Sequence, residues 1–205
     1  GLAEVVWRED WLWLKDGGMV PPSTIDLPVA RQVPGAVEYD FTGACLPEDF
    51  QWLRTPEPER IFSLTGSALR LIGRESLGSW FEQSLVARRQ DEPAYDAECD
   101  LIADPPNWQR AAGLITWYNR HKFHAALVTR EAGARVVTLV SCLGDWPGEA
   151  LTFHGQFPLA EGKVTLGVTV DRAVQWFRVN GVAVGPELDA SVVSDEGGRG
   201  EHASF

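Results

Sequence analysis

Two segments of this chain alternate apolar and polar residues without a break. Tyr95, Ala97, Cys99 and Leu101 alternate with Asp96, Glu98 and Asp100, and Val164, Leu166, Val168 and Val170 alternate with Lys163, Thr165, Gly167 and Thr169. A period of two sends successive side chains to opposite faces of an extended backbone, so each segment predicts a strand with one buried face. Further strands are expected at 37–42, 68–73, 80–89, 111–119, 123–130, 134–143 and 173–179. Turn signals separate them at 119–122, 131–134, Asp171-Arg172 and Asn180-Gly181. In 80–89, Ser84, Val86 and Arg88 set against Phe81, Gln83, Leu85 and Ala87 favour a strand over a helix. No stretch after residue 35 has capped, 3.6-residue periodicity. Many short strands with Gly and Pro turns predict an all-β fold, a β-sandwich or jelly roll.

Residues 1–35 read differently. An aromatic-rich pattern from Val5 to Leu14 predicts one strand, and the Pro- and Gly-punctuated stretch to Pro34-Gly35 predicts an extended linker. A lone strand cannot satisfy its own edges, so it needs a sheet to join. The expected organisation is 1–35 as strand plus linker and 36–205 as the sandwich.

The 205 residues carry 18 basic and 29 acidic side chains, a formal net charge of -11. Such a charge repels a phosphate backbone, so nucleic acid is not an expected partner. No apolar run approaches the roughly 20 residues of a membrane span, and the first ten residues do not read as a signal peptide. Cys45, Cys99 and Cys142 are odd in number and match no zinc or redox spacing. Buried thiols in a reducing compartment favour the cytoplasm, with secretion left open.

Asp96, Glu98 and Asp100 share one strand face, with neighbours about 6.6–6.8 Å apart. Glycosidases place two carboxyls about 5–5.5 Å apart for retention and about 6.5–9.5 Å apart for inversion. Glu98 is therefore a candidate in a sandwich glycosidase, set against the simpler reading of a solvated strand face. Trp117, Tyr118 and His121 lie near one hairpin end with Trp108 a little before, and such rings suit carbohydrate stacking. Trp117 and Tyr118 point to opposite faces. Arg88 and Arg89 also face opposite sides, so they predict a structural salt bridge rather than an anion clamp. His121 and His124 lack further ligands, and no metal centre is expected there. Asp189, Ser194, Asp195 and Glu196 offer oxygen atoms for a Ca²⁺ ion, without a regular ligand spacing. Ser191 and Ser194 have no nearby His to suggest a nucleophile triad.

Four blocks occur in a recognisable order: LPEDFQWLRTPEPE at 46–59, GSALRLIGRESLGSWFEQSLVARRQ at 66–90, AAGLITWYN at 111–119 and GPELDASVVSDE at 185–196. Over roughly 160 residues they resemble the C-terminal domain of family-43 glycoside hydrolases of the β-xylosidase type. The resemblance implies a concanavalin A-like β-sandwich packed on a five-bladed catalytic propeller that carries the acid, the base and a third carboxylate. It implies that residues 1–20 are the tail of the last propeller blade, and that the sandwich is truncated at its C-terminus. Phe205 matches a phenylalanine whose loop closes the sugar pocket of the neighbouring propeller in that family.

Three readings follow. The leading one is an accessory domain of a β-xylosidase/α-arabinofuranosidase-like hydrolase, inactive alone and without a catalytic residue, metal or cofactor of its own. Its partners would be the propeller, a xylo- or arabino-oligosaccharide, and a second copy of itself. The second is a free-standing carbohydrate-binding module for xylo-oligosaccharides, with the four hairpin-end residues as contacts. The third is a sandwich glycosidase using Glu98, which would show a raised carboxyl pKa and a cleft over that strand.

Overall fold

The computed structural model describes residues 4–15, 17, 35–144, 150–194 and 197. The chain forms two compact units, Gly1–Tyr39 and Asp40–Phe205.

In the first unit, the expected single strand is a hairpin: β1 (Val5–Arg8) and β2 (Trp11–Leu14) pair antiparallel, with Arg8 opposite Trp11. Glu9 and Asp10 make the turn at φ 50° and 59°. Two positive φ values define the turn that matches strand twist, a conformation in which Asn-Gly is the usual signal. Glu-Asp gave no such signal, so the reversal was invisible.

The second unit is a sandwich of two four-stranded antiparallel sheets. One is the meander β8 (Ala112–Asn119), β9 (Lys122–Glu131), β10 (Ala134–Leu143) and β11 (Leu151–Pro158). The other has the order β14 (Val182–Asp189), β13 (Val174–Val179), β12 (Val164–Asp171) and β7 (Ala94–Leu101). The chain leaves β7, builds the whole first sheet, and returns to pair β12 with β7, Leu166 opposite Cys99. Four short strands in two pairs precede them: β3 (Phe50–Trp52) pairs with β6 (Val86–Arg88), and β4 (Phe62–Leu64) with β5 (Leu69–Leu71).

The period-two residues do what their pattern demands. Val164, Leu166, Val168 and Val170 of β12 pack with Phe177 against Ala126, Val128, Val137 and Leu139 of the facing sheet. Full burial of each large side chain contributes about 1.5–3 kcal/mol. The first sheet is apolar on both faces. Its far side buries Phe123, Ala125, Val140 and Cys142, with Leu77, Ile115 and Trp117 packed against them. That is why β9 and β10 read as near-continuous apolar runs.

A polar seam runs through the sandwich. His124 Nδ1 lies 2.6 Å from Ser141 Oγ, Ser141 Oγ lies 2.8 Å from His154 Nε2, and His124 Nε2 lies 3.0 Å from the Asp189 carbonyl oxygen. A carbonyl only accepts, so His124 Nε2 carries the proton and Nδ1 accepts from Ser141. The Thr116 hydroxyl donates to Gln175 Oε1 at 3.1 Å.

Some expected strands are absent. Residues 37–42 are not a strand; Asp40 Oδ1 accepts from the Thr42 amide at 3.0 Å and sets a local turn. In 80–89 only Val86–Arg88 is extended. Strands β3, β4, β11 and β14 were not expected. In β14, Gly185 (φ 73°) and Pro186 break the alternation at a bulge opposite Trp176. A Cβ on Gly185 would lie 2.4 Å from Leu139 Cδ1, so a side chain there would have to displace Leu139 as well as adopt a positive φ.

Candidate functional site

The carboxylate row on β7 is a solvated strand face. Lys163 Nζ donates to Asp100 Oδ2 at 2.8 Å, and Thr165 Oγ1 donates to Asp100 Oδ1 at 2.6 Å. Asp96 accepts from Thr169 Oγ1 and Arg178, and the Arg178 guanidinium also lies 3.8 Å from Glu98 Oε2. Arg178 reaches across Gly167 of the intervening strand, where a Cβ would sit 3.1 Å from the guanidinium. The Lys163 and Thr165 hydrogen bonds lower the Asp100 pKa, and those from Thr169 and Arg178 lower that of Asp96. A general acid needs the opposite shift.

The aromatic end of the first sheet is built from two distant parts of the chain. The β8–β9 hairpin end carries Trp117 and Tyr118 on β8 and His121 in the turn. Trp117 stacks on Phe123, centroids 5.5 Å apart, within the outer apolar cluster. Lys122 Nζ lies 5.5 Å from the Tyr118 ring, and His121 is buried. The segment 75–83 then brings up Trp80, which meets His121 edge-on at 6.0 Å. The Arg120 guanidinium lies over the Trp80 ring, 3.4 Å from its centroid, and donates to the Gly78 carbonyl at 2.7 Å. Trp80 is 60% exposed and Phe81 74% exposed.

This 75–83 loop is held from inside. The buried Gln83 amide nitrogen donates to the carbonyls of Ser76, Leu77 and Ser79. Arg54 donates to the Trp80 carbonyl at 2.8 Å, and Arg60 grips Glu82 through two hydrogen bonds of 2.6 and 3.1 Å. One buried amide whose two protons are shared among three carbonyls fixes a backbone that makes no regular ladder. Expectation of a strand at 80–89 hid this loop. The cluster Ser76, Gly78 and Ser79 was the available loop signal.

Trp108 does not join this group. It sits 66% exposed between β7 and β8, in the segment whose Asn107 and Arg110 carbonyls accept from Thr129 Oγ1. Thr129 is six residues along β9 from Phe123, about 20 Å at strand rise. Arg88 pairs with Asp91 at 3.5 Å, the structural salt bridge expected of it. Asp189 Oδ1 accepts from the Ser191 amide at 2.9 Å and its hydroxyl at 2.6 Å, so it caps a 3-10 turn at Ala190–Val193. Asp195, Glu196 and Phe205 lie outside the described residues. Among the described residues no group of three or more His, Cys, Asp and Glu side chains is placed to hold a metal ion.

Residues 38–205 match the family of the β-xylosidase C-terminal concanavalin A-like domain. The chain belongs to this family. It is 41% identical over 219 residues to the xylosidase/arabinosidase 43B of Humicola insolens, a match covering 100% of this chain and 40% of that protein. It is 36% identical over 182 residues to a putative β-xylosidase of Escherichia coli K12, covering 83% and 33%. Among solved structures, the xylan β-1,4-xylosidase from Bacillus halodurans C-125 superposes with a TM-score of 0.79 at 29% identity, covering 99% of this chain and 41% of that one. The chain thus spans between a third and about two fifths of the length of these relatives. Its sandwich of a four-stranded meander against the β7–β12 sheet is the concanavalin A-like fold of that family.

Proposed function

We propose that this chain is the accessory, non-catalytic sandwich domain of a β-xylosidase/α-arabinofuranosidase-like glycoside hydrolase. It packs on the catalytic propeller and shapes the sugar pocket there, and the substrate is a xylo- or arabino-oligosaccharide. The observation that carries the reading is the 75–83 loop: a locked backbone presenting Trp80 and Phe81 to solvent. Exposed aromatics cost solubility unless a partner covers them. Holding them rigid before contact lowers the ordering cost of binding, as an interface anchor requires. The carboxylate row supports the non-catalytic half of the reading, because Asp96 and Asp100 are committed to cations and hydroxyls and shifted downward.

The test is turnover of aryl β-xyloside and aryl α-arabinofuranoside by the purified chain beside its Glu98→Gln variant. No turnover by either is expected. Turnover that disappears in Glu98→Gln would place an active site on the sandwich and overturn the reading.

A further inference from the structure

Ser141 is fully buried on β10, and its one hydroxyl oxygen meets two imidazoles. His124 Nδ1 of β9 lies 2.6 Å away, and His154 Nε2 of β11 lies 2.8 Å away. A hydroxyl has one proton to donate and lone pairs with which to accept. The Asp189 carbonyl, 3.0 Å from His124 Nε2, places that ring's proton on Nε2. The relay therefore has one direction. His154 Nε2–H donates to Ser141, Ser141 donates to His124 Nδ1, and His124 Nε2–H donates to Asp189.

This relay accepts one further proton without loss. Added at His154 Nδ1, the proton leaves all three hydrogen bonds as they are. Added at His124 Nδ1, it turns the Ser141 hydroxyl toward His154 Nε2, and the His154 proton moves from Nε2 to Nδ1. Three hydrogen bonds are again made. A second proton breaks the pattern. Both rings then aim N–H groups at one serine oxygen, two cations share one bridge, and the Ser141 proton has no acceptor at a buried site.

The strand that yields is set by the backbone. His124 is 1% exposed and lies in the interior strand β9. His154 is half-buried on the edge strand β11, which has a ladder on one side only. Leu139 pairs with Gly155 and Val140 with Phe153, so His154 is the extra residue of a bulge, without a Cα partner on β10. A bulge re-aims a side chain, and this one aims His154 at Ser141. The charged groups of the neighbouring strands are engaged elsewhere or exposed. On β9, Lys122 lies 5.5 Å from the Tyr118 ring, Arg130 pairs with Asp104 and Glu161, and Glu131 is exposed. Arg135 of β10 donates to the Ala103 carbonyl at 3.0 Å. On β14, the Asp189 carboxylate accepts from Ser191, and Glu187 is exposed. Thr116 on β8, Gln175 on β13 and the turn Ala190–Val193 bring no charge to the rings.

We propose that His154, Ser141 and His124 form a one-proton latch that holds the edge strand β11 in its sheet and releases it when both rings are protonated. The inference does not rest on the accessory-domain reading.

The experiment is amide hydrogen exchange of the whole chain between about pH 8 and about pH 5, the range in which histidines titrate, corrected for intrinsic exchange. Relative to β9 and β10, the amides of β11 are expected to open about tenfold more often at the acid end. His154→Gln keeps an N–H for Ser141 and does not titrate, so β11 should stay protected across the range. Ser141→Ala removes the bridge, so β11 should open at both ends of it. If Ser141→Ala does not fold, His154→Gln decides alone. Nitrogen-15 spectra of the rings at about pH 8 should show both histidines protonated on Nε2. An unchanged pH dependence of β11 in His154→Gln would overturn the inference. Parallel opening of β9, β10 and β11 in the unmodified chain, or a His154 ring protonated on Nδ1 alone at the alkaline end, would also overturn it.

Discussion

His124 Nε2 lies 3.0 Å from the carbonyl oxygen of Asp189, and this hydrogen bond ties the β9 strand of one sheet to the end of β14 in the other. The same ring accepts from Ser141, which accepts in turn from His154. Burial lowers the His124 pKa, opposed by the Asp189 hydrogen bond and assisted by His154. The neutral form is therefore the folded form. Protonating Nδ1 would set a donor against the Ser141 hydroxyl proton and force that hydroxyl to turn away.

The sign of the pH dependence follows. A histidine whose folded pKa lies below its unfolded value contributes full stability above the unfolded value, about 6.5, and loses it as pH falls toward the folded value. Urea midpoints measured from pH 8 downward should be flat, then fall once pH drops below about 6.5. His124→Gln should lower the plateau by about 1–3 kcal/mol through lost buried hydrogen bonds, and should reduce that slope. An unchanged slope in the variant would show that another group titrates.

Gly113 is required by close approach rather than by its backbone angle. A Cβ there would sit 1.9 Å from the Ala126 carbonyl oxygen of the neighbouring strand. Gly113→Ala should cost about 3 kcal/mol, the upper part of the usual overpacking range, read as a loss of urea midpoint. Gly66→Ala meets open space but has φ 84°, so its smaller penalty measures backbone strain alone.

Gln83 should control the order of the aromatic loop without controlling the sandwich. Gln83→Leu leaves the carbonyls of Ser76, Leu77 and Ser79 without their shared donor. Hydrogen exchange should accelerate across 75–83 while amides of β9, β10 and β12 remain protected. Global loss of protection would mean that the loop is part of the core rather than a presented surface.

Much of the sandwich was legible because burial on one face writes itself into the chain with a period of two. β7 and β12 show this most plainly, and the four interstrand turns were marked by Asn180-Gly181 and its equivalents. β11 and β14 were missed because Gly155 and Gly185-Pro186 interrupt the alternation at edge strands, where bulges are tolerated. The β1–β2 reversal was missed because its turn uses Glu9 and Asp10. At the aromatic end, Trp117, Tyr118 and His121 could be read from one hairpin. Trp80 and Arg120 stack across 40 positions of sequence, and no local pattern reports such a contact. Trp108 looked close in sequence but belongs to the other end of the strand.

The central claim is that Trp80 and Phe81 anchor this domain on a catalytic propeller. The most direct measurement replaces the matching C-terminal part of the Humicola insolens xylosidase/arabinosidase with this chain. Turnover of aryl β-xyloside is then compared between that chimera and its Trp80→Ala/Phe81→Ala form. An active chimera whose double variant loses at least about tenfold in kcat/KM, the loss expected when two interface anchors are removed, is the predicted result. Equal activity in both would contradict the claim.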